Sequence, residues 1–289
     1  MFDSTPLWRS QLFVPANRPN FVEKAHTRGA DAIILDLEDS VPISERAQAR
    51  TDLADSITQA RAGGADVLVR LNNVGGELEQ DLAACESNMP DALMIPKVES
   101  ERELARISGW LCSHKICGPI PFLVIIESAL GLLNMRDIAF SDQPIVAMTL
   151  GGEDFALNVG MKPTVATLEV PMQLCLYTAR AAGLMPLGMF GSIAEYSDLE
   201  EVRANALRAK DFGFEGAACI HPSVVPILNE VFSPSADEVD EARRIVEAYA
   251  QAQSNGLGAI ELDGKMIDVP IALRAQGILD RYQRIIESS

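Results

Sequence analysis

Short apolar runs recur along the chain at Leu12-Phe13-Val14, Ala32-Ile33-Ile34-Leu35, Val67-Leu68-Val69, Ala92-Leu93-Met94-Ile95, Phe122-Leu123-Val124-Ile125-Ile126, Ile145-Val146-Ala147-Met148, Met185-Pro186-Leu187-Gly188-Met189 and Ala217-Ala218-Cys219-Ile220. They are unbroken rather than alternating, the pattern of parallel strands covered on both faces. Between them lie stretches of helical periodicity: Pro19 to Arg28, Ser44 to Arg61, Glu99 to Leu111, Thr167 to Ala182 and Leu199 to Phe212. The alternation predicts βαβ units, and eight such strands make a closed (β/α)8 TIM barrel. The seventh run is the weakest, since it holds both Pro186 and Gly188. A doubly wound open sheet is the competing fold, but no Gly-x-Gly-x-x-Gly turn follows an early strand.

The pattern changes beyond the eighth run. Ser235-Ala236-Asp237-Glu238 has the form of a capping box, with Ser235 as cap and Glu238 three residues on. Val239, Ala242, Val246 and Tyr249 then mark one apolar helical face. Ser254-Asn255-Gly256-Leu257-Gly258 ends that helix, Ile260 to Ile267 holds the Asp263-Gly264 turn of a β-hairpin, and a last helix begins near Pro270. An eight-fold barrel does not need this tail. Residues 1–254 are therefore expected to form the catalytic barrel, and residues 255–289 a C-terminal helix-hairpin-helix extension serving as lid or oligomer contact.

Charge narrows the partners. The 289 residues carry 24 Lys+Arg against 41 Asp+Glu, a formal net charge of −17. Such a chain lacks the clustered basic residues that bind a phosphate backbone, so neither nucleic acid nor an anionic membrane surface is an expected partner. With 48% hydrophobic and 22% charged residues, the composition is that of a folded globular protein. The longest apolar stretch, Ile120 to Leu133, is interrupted by Glu127 and falls short of the ~18 residues of a membrane span. Met1-Phe2-Asp3-Ser4-Thr5-Pro6 has neither the basic start nor the apolar run of a signal peptide, so a cytoplasmic location is expected. Five cysteines are an odd number, and Cys85, Cys175 and Cys219 stand among apolar or small neighbours as expected reduced core thiols.

A barrel presents its reacting groups at the C-terminal ends of its strands. There the sequence places Asp36-Leu37-Glu38-Asp39, Arg70-Leu71-Asn72, Pro96-Lys97-Val98-Glu99, Glu127-Ser128, Gly151-Gly152-Glu153-Asp154 and His221-Pro222. Glu127 and Asp154 come from different strands and could share a hard divalent cation, since Mg²⁺ takes one or two carboxylates and leaves positions for water and substrate oxygens. The competing reading is a salt bridge at the barrel mouth, for example to Lys97. Arg70 offers a planar fork for an oxyanion or carboxylate, or an ion pair with Glu38 or Asp39. The run from Cys112 to Cys117 superficially matches a soft-metal cluster but has no partner Cys-x-x-Cys, so a solvent-side helix end is expected. His26 is expected at the surface. His221 is the one histidine placed for chemistry, and a structural role under the rim is expected of it. No Gly-x-Ser-x-Gly elbow occurs.

Taken in order, Trp8-Arg9-Ser10-Gln11-Leu12-Phe13-Val14-Pro15, Asp36-Leu37-Glu38-Asp39-Ser40-Val41, Val69-Arg70-Leu71-Asn72, Pro96-Lys97-Val98-Glu99, Ile126-Glu127-Ser128, Gly151-Gly152-Glu153-Asp154, Ile220-His221-Pro222 and Met266-Ile267-Asp268-Val269-Pro270 closely resemble the citrate lyase β-chain and malyl-CoA lyase branch of the HpcH/HpaI aldolase/citrate lyase family. The resemblance runs over nearly the whole chain. It implies a Mg²⁺-dependent barrel, with Mn²⁺ as a substitute, that breaks or makes a carbon–carbon bond in a 3-hydroxyacyl-CoA ester such as malyl-CoA or citramalyl-CoA. It implies Glu127 and Asp154 as metal ligands with Glu38 and Asp39 just behind them, and substrate contacts from Arg9, Arg70, Lys97 and Glu153. It further implies a homo-oligomer, trimer or hexamer, in which Arg70 stabilises developing charge and Asp268, presented by the tail of a neighbouring subunit, is the acid/base. The same resemblance covers a citrate lyase β subunit acting on an acyl-carrier-protein thioester and a malyl-CoA thioesterase, and a barrel that binds acyl-CoA without turnover is a further alternative. One departure stands out: Phe190 occupies the position after strand seven where many members carry an acid, and an apolar ring at the rim is expected to favour a less polar substrate group.

Overall fold

The computed structural model describes residues 6–73, 76–116 and 120–287. The leader reading of Met1 to Thr5 and the Cys117 end of the Cys/His run lie outside them. Eight parallel strands form one sheet: β1 (Ser10–Pro15), β2 (Ala32–Asp36), β3 (Asp66–Arg70), β4 (Ala92–Ile95), β5 (Phe122–Ile126), β6 (Ile145–Leu150), β7 (Met185–Leu187) and β8 (Ala217–Cys219). Their order is β7-β6-β5-β4-β3-β2-β1-β8. Between β7 and β8 the cylinder closes through two backbone bonds, Gly188 N to Gly216 O at 2.8 Å and Glu215 N to Pro186 O at 3.0 Å. No regular ladder forms there because both strands are only three residues long and Pro186 has no N–H to give. The fold is the expected (β/α)8 barrel.

The apolar runs are buried on both faces, as parallel strands require: Ile33 and Leu35 of β2 are as inaccessible as Ala32 and Ile34. The barrel interior is filled by residues such as Ile34, Leu68, Met94, Leu123 and Ile125. Ala32, Ala92, Ala147 and Ala218 also take inward positions and leave space among them. One helix differs from expectation. The stretch from Ser44 to Arg61 forms two helices, Ile43–Thr51 and Leu53–Arg61, parted at Asp52 with φ −90 and ψ −2.

By packing, the chain divides into Met1–Asn229 and Glu230–Ser289, earlier than the position expected from sequence. The second unit contains the helix Ala236–Ser254, started by a complete capping box: Glu238 N donates to Ser235 Oγ at 3.1 Å and Ser235 N to Glu238 Oε2 at 2.7 Å. A hairpin follows, β9 (Ile260–Leu262) and β10 (Lys265–Ile267), antiparallel. Its turn residues Asp263 and Gly264 both have positive φ, 51 and 75, as a type I′ turn demands. The helix Val269–Glu287 closes the unit over a small core of Tyr249, Ile267 and Ala272. No helix among the described residues is long and apolar enough to cross a membrane.

Candidate active site

The parallel register sets Asp36, the last residue of β2, beside Arg70, the last of β3. Their side chains form a planar double bond, Nε to Oδ1 and Nη2 to Oδ2, both 2.7 Å. Burial pushes the Asp36 carboxyl up, but the Arg70 fork outweighs it and holds the group below its ordinary value. The third guanidinium nitrogen faces Glu38 at 3.2 Å and Asp39 at 3.5 Å, and the guanidinium lies 4.8 Å from the centre of the Phe13 ring. Arg70 thus pairs chiefly with Asp36, while Glu38 and Asp39, its partners by sequence reasoning, are secondary. Asp36 was legible only as the end of an apolar run; its partnership needs the register. Replacing Asp36 with asparagine leaves a buried guanidinium short of its main counter-charge, so a loss of about 3 kcal/mol or more in chemical denaturation is expected.

Lys97 follows β4 with φ 54, a conformation costly for a side chain with a Cβ. In it the backbone N donates to Glu127 Oε2 at 2.7 Å. The ammonium pairs with Glu38 and lies 3.3 Å from Asp39, so the structure gives it carboxylate partners on the protein. Glu127 itself follows β5 and is 6% exposed. Burial, reinforced by the charges of Glu38 and Asp154, pushes its carboxyl up to about 8. Asp154 stands in the first turn of the helix Gly152–Val159, directly after β6. Gly151 makes the approach possible: a Cβ there would lie 2.5 Å from Glu127 Cγ and Oε1.

These residues fit a hard cation. Five carboxylates (Asp36, Glu38, Asp39, Glu127 and Asp154) gather around two protein cations, Arg70 and Lys97. Glu38 Oε2 is buried with no hydrogen bond of its own and only the Arg70 Nη1 at 3.2 Å, and the Glu127 carboxyl is raised by burial first and by the neighbouring Glu38 and Asp154 charges second. Among the described residues no group of three His, Cys, Asp or Glu forms a ready-made metal cage. Mg²⁺ does not need one, because it is commonly held by one or two carboxylates and keeps several waters. Glu127 and Asp154 border two hollows, one running into the barrel and one lined by Asn73, Lys97 and Asn158, so space for other ligands exists on both sides.

Two expected outcomes test this geometry. Gly151→Ala keeps an allowed backbone, at φ −81 and ψ 90, yet must displace Glu127; activity should fall roughly 100-fold with the melting temperature little changed. In metal-free protein, a folded-state carboxyl raised to about 8 from its ordinary 4.5 means the native state binds more protons than the unfolded chain between those values. The contribution of Glu127 to stability is therefore lost as pH rises from about 5 to 8. Thermal melts should show that falling limb in wild type and a shallower one in Glu127→Gln.

The remaining expected residues are dispersed. Glu153 lines the inner cavity and accepts a hydrogen bond from Ser192 Oγ, in the loop after β7. Arg9 does not reach the rim. It precedes β1, and its N, Nε and Nη2 bind the Asp31 carboxylate at 2.8, 2.7 and 2.6 Å; a residue before a parallel strand lies at the end of the barrel opposite the active face. Substrate contact by Arg9 is thus corrected to a structural ion pair. Phe190 is also displaced from its expected place: it is fully buried, edge-on to Phe212 and Phe214, with the Arg208 guanidinium 5.1 Å from its ring centre. It packs outward under the helix Leu199–Phe212, while Met189 and Ile193 line the cavity.

His221 takes the structural place expected of it, with Nδ1 2.7 Å from Ser223 Oγ and its ring stacked on Tyr196. His26 is half-buried rather than at the surface. Cys85, Cys175 and Cys219 are buried free thiols, and burial pushes the last two up to about 12. Cys112 is exposed near the end of the helix Glu101–Ser113, with His114 stacked on Trp110. Asp268 belongs to the second unit and caps the helix Val269–Glu287, Ile271 N lying 3.5 Å from its Oδ1.

Comparison with known proteins places this geometry. The chain is 34% identical over 264 residues, covering 90% of both sequences, to a (3S)-malyl-CoA thioesterase of Cereibacter sphaeroides. It is 33% identical over 304 aligned positions to an L-malyl-CoA/beta-methylmalyl-CoA lyase of the same species, covering 96% of this chain and 95% of the relative. It is 31% identical to citrate lyase subunit beta of Haemophilus influenzae, covering 95% and 97%. Among solved structures, the Mycobacterium tuberculosis protein CitE in complex with magnesium, acetoacetate and coenzyme A superposes with a TM-score of 0.77 at 28% identity, over 95% of this chain and 97% of that one. Residues 9–222, from the start of the barrel to just past β8, match the family described as HpcH/HpaI aldolase/citrate lyase. Barrel, rim and relatives agree, and the chain belongs to the HpcH/HpaI aldolase/citrate lyase family.

Proposed function

We propose that the protein is a Mg²⁺-dependent carbon–carbon lyase that cleaves or forms a 3-hydroxyacyl-CoA ester, such as malyl-CoA or citramalyl-CoA, with an oxo acid and an acyl-CoA as the other side of the reaction. The observation that carries this reading is the surplus of carboxylates at the rim, with Glu127 and Asp154 facing the same cavity as Arg70. Glu127 and Asp154 would hold Mg²⁺, with Glu38 and Asp39 behind them. When bound, the cation would supply a Lewis acid toward the oxygens of the substrate's hydroxyl and carboxylate.

Cleavage breaks the bond between the thioester's α-carbon and the carbinol carbon. The electron pair passes to the thioester as an enolate, the hydroxyl loses its proton, and the α-carbon gains one. Arg70, held in plane by Asp36, stabilises the enolate charge. Lys97 fixes Glu38 and Asp39 and orients Glu127 through its backbone N–H. Asp268 protonates the α-carbon in a neighbour's site. Support for that last role comes from its surroundings: Met266, Val269 and Leu273 around it are 65, 49 and 67% exposed, a surface that contact with a second copy would cover. The protein is accordingly read as a homo-oligomer, trimer or hexamer, working in the cytoplasm.

Arg70→Lys keeps the charge but not the planar fork. Its loss should appear mainly in kcat, on the order of 100-fold; a change confined to KM would demote Arg70 to ground-state binding.

Thioester hydrolysis is a second reading, because a thioesterase relative is as similar as the lyase. Incubating the protein and Mg²⁺ with a panel of 3-hydroxyacyl-CoA esters, with products identified by mass spectrometry, separates the readings. An oxo acid with acyl-CoA supports the lyase, and free CoA supports the thioesterase. No reaction with any ester overturns the CoA-lyase reading in favour of a carrier-protein substrate, as for a citrate lyase β subunit, or of acyl-CoA binding alone.

A further inference from the structure

We infer that the cavity inside the barrel selects an oxo acid with an uncharged alkyl side chain and disfavours one carrying a second carboxylate. The inference rests on the lyase reading for the nature of the occupant. The cavity has a volume of about 170 Å³ and runs from Glu127 and Asp154 into the barrel. It is open at its mouth, so a small oxo acid sits inside while the long arm of a CoA thioester leaves through the mouth. What enters is therefore the carbinol or oxo-acid half of the substrate.

The chemistry of the walls is one-sided. Acidic groups stand at the mouth, and the interior walls are built by Phe13, Met94, Ile125, Leu187, Met172 and Met189. Arg70 is the sole basic residue among the described lining, and its Nε and Nη2 are held by Asp36. The buried amide of Gln11 gives one N–H of its Nε2 to the Trp8 carbonyl, 3.3 Å away, and brings no charge to set against a carboxylate. One carboxylate of the oxo acid can be compensated by a cation at Glu127 and Asp154. A second, carried on the side chain, would be driven against thioether and hydrocarbon groups with only the neutral Thr149 hydroxyl and Gln11 amide beside them, and a buried charge with no counter-charge is costly. A methyl or ethyl group instead gains by leaving water. The apolar wall expected from Phe190 thus exists, but Met189 and its neighbours form it.

The test is titration calorimetry of the Mg²⁺-loaded protein with glyoxylate, pyruvate, 2-oxobutanoate and oxaloacetate, run beside a condensation assay of each acid with acetyl-CoA. The expected order is 2-oxobutanoate and pyruvate bound roughly 10-fold or more tighter than glyoxylate, and oxaloacetate weaker than pyruvate by at least a similar factor. Met189→Arg, at a half-buried position, should narrow or invert the preference of pyruvate over oxaloacetate. Oxaloacetate binding as tightly as pyruvate in the wild type, or no binding of any of the four, overturns the inference. The two readings fail separately. The expected binding order without any new carbon–carbon bond leaves the selectivity standing and removes the lyase, whereas efficient condensation that favours oxaloacetate keeps the lyase and removes the selectivity.

Discussion

Glu127→Gln and Asp154→Asn are each expected to reduce turnover on the order of 1000-fold or more while the protein stays folded. A Lewis acid contributes several kcal/mol to such a reaction, and each 1.4 kcal/mol is a factor of ten. The fold survives for a local reason. Glutamine at 127 still accepts the Lys97 N–H that Glu127 Oε2 accepts at 2.7 Å, and it removes a charge that burial and the neighbouring Glu38 and Asp154 already disfavour. Asp154 stands in a helical first turn where asparagine is well tolerated. Removal of divalent metal by a chelator should reproduce the loss in wild type, and Mg²⁺ or Mn²⁺ should restore it. Calorimetric titration with Mg²⁺ should show weakened binding in both variants. Full activity in excess chelator would remove the metal from the reaction.

Asp268→Asn should cost roughly 100-fold to 10,000-fold in turnover, the range of a general acid, with Mg²⁺ and thioester binding retained. The substitution is selective because asparagine caps a helix as well as aspartate, so the start of Val269–Glu287 is preserved while the proposed proton donor is lost. If Asp268 serves a neighbour, mixing the Asp268→Asn and Glu127→Gln proteins should regenerate activity, since a mixed oligomer contains a site with both groups intact. Mass measurement must first confirm hetero-oligomers. Hetero-oligomers as inactive as their parents would confine Asp268 to its own chain or remove it from catalysis.

The barrel was legible because burial on both faces leaves the middle of a parallel strand few polar positions, so each of the eight runs announced itself and coincided with a strand to within a few residues. The rim positions of Glu127 and Asp154 followed from the same logic, as charges at or just beyond the ends of apolar runs. What remained hidden depended on direction and register. The pairing of Arg70 with Asp36 needs to know which residues stand side by side in adjacent strands. Arg9 belongs to a motif that begins before its strand, so only the later part of that motif points to the active face. Phe190 follows a strand of three residues interrupted by Pro186 and succeeded by Gly188, where alternation is too short to set the side on which a ring falls. The capping box at Ser235 and the Asp263-Gly264 turn were readable because each is decided within four residues.

Carrying out the cleavage of malyl-CoA or citramalyl-CoA in D₂O, with Mg²⁺ present and the products resolved by mass spectrometry, tests the proposed bond cleavage most directly. Breaking the carbon–carbon bond leaves an enolate that must take a proton from the enzyme or solvent, so the acetyl-CoA released should carry a single deuterium in its methyl group and appear in step with the oxo acid. Free CoA with an intact, undeuterated 3-hydroxy acid would contradict the lyase and assign the same site to hydrolysis.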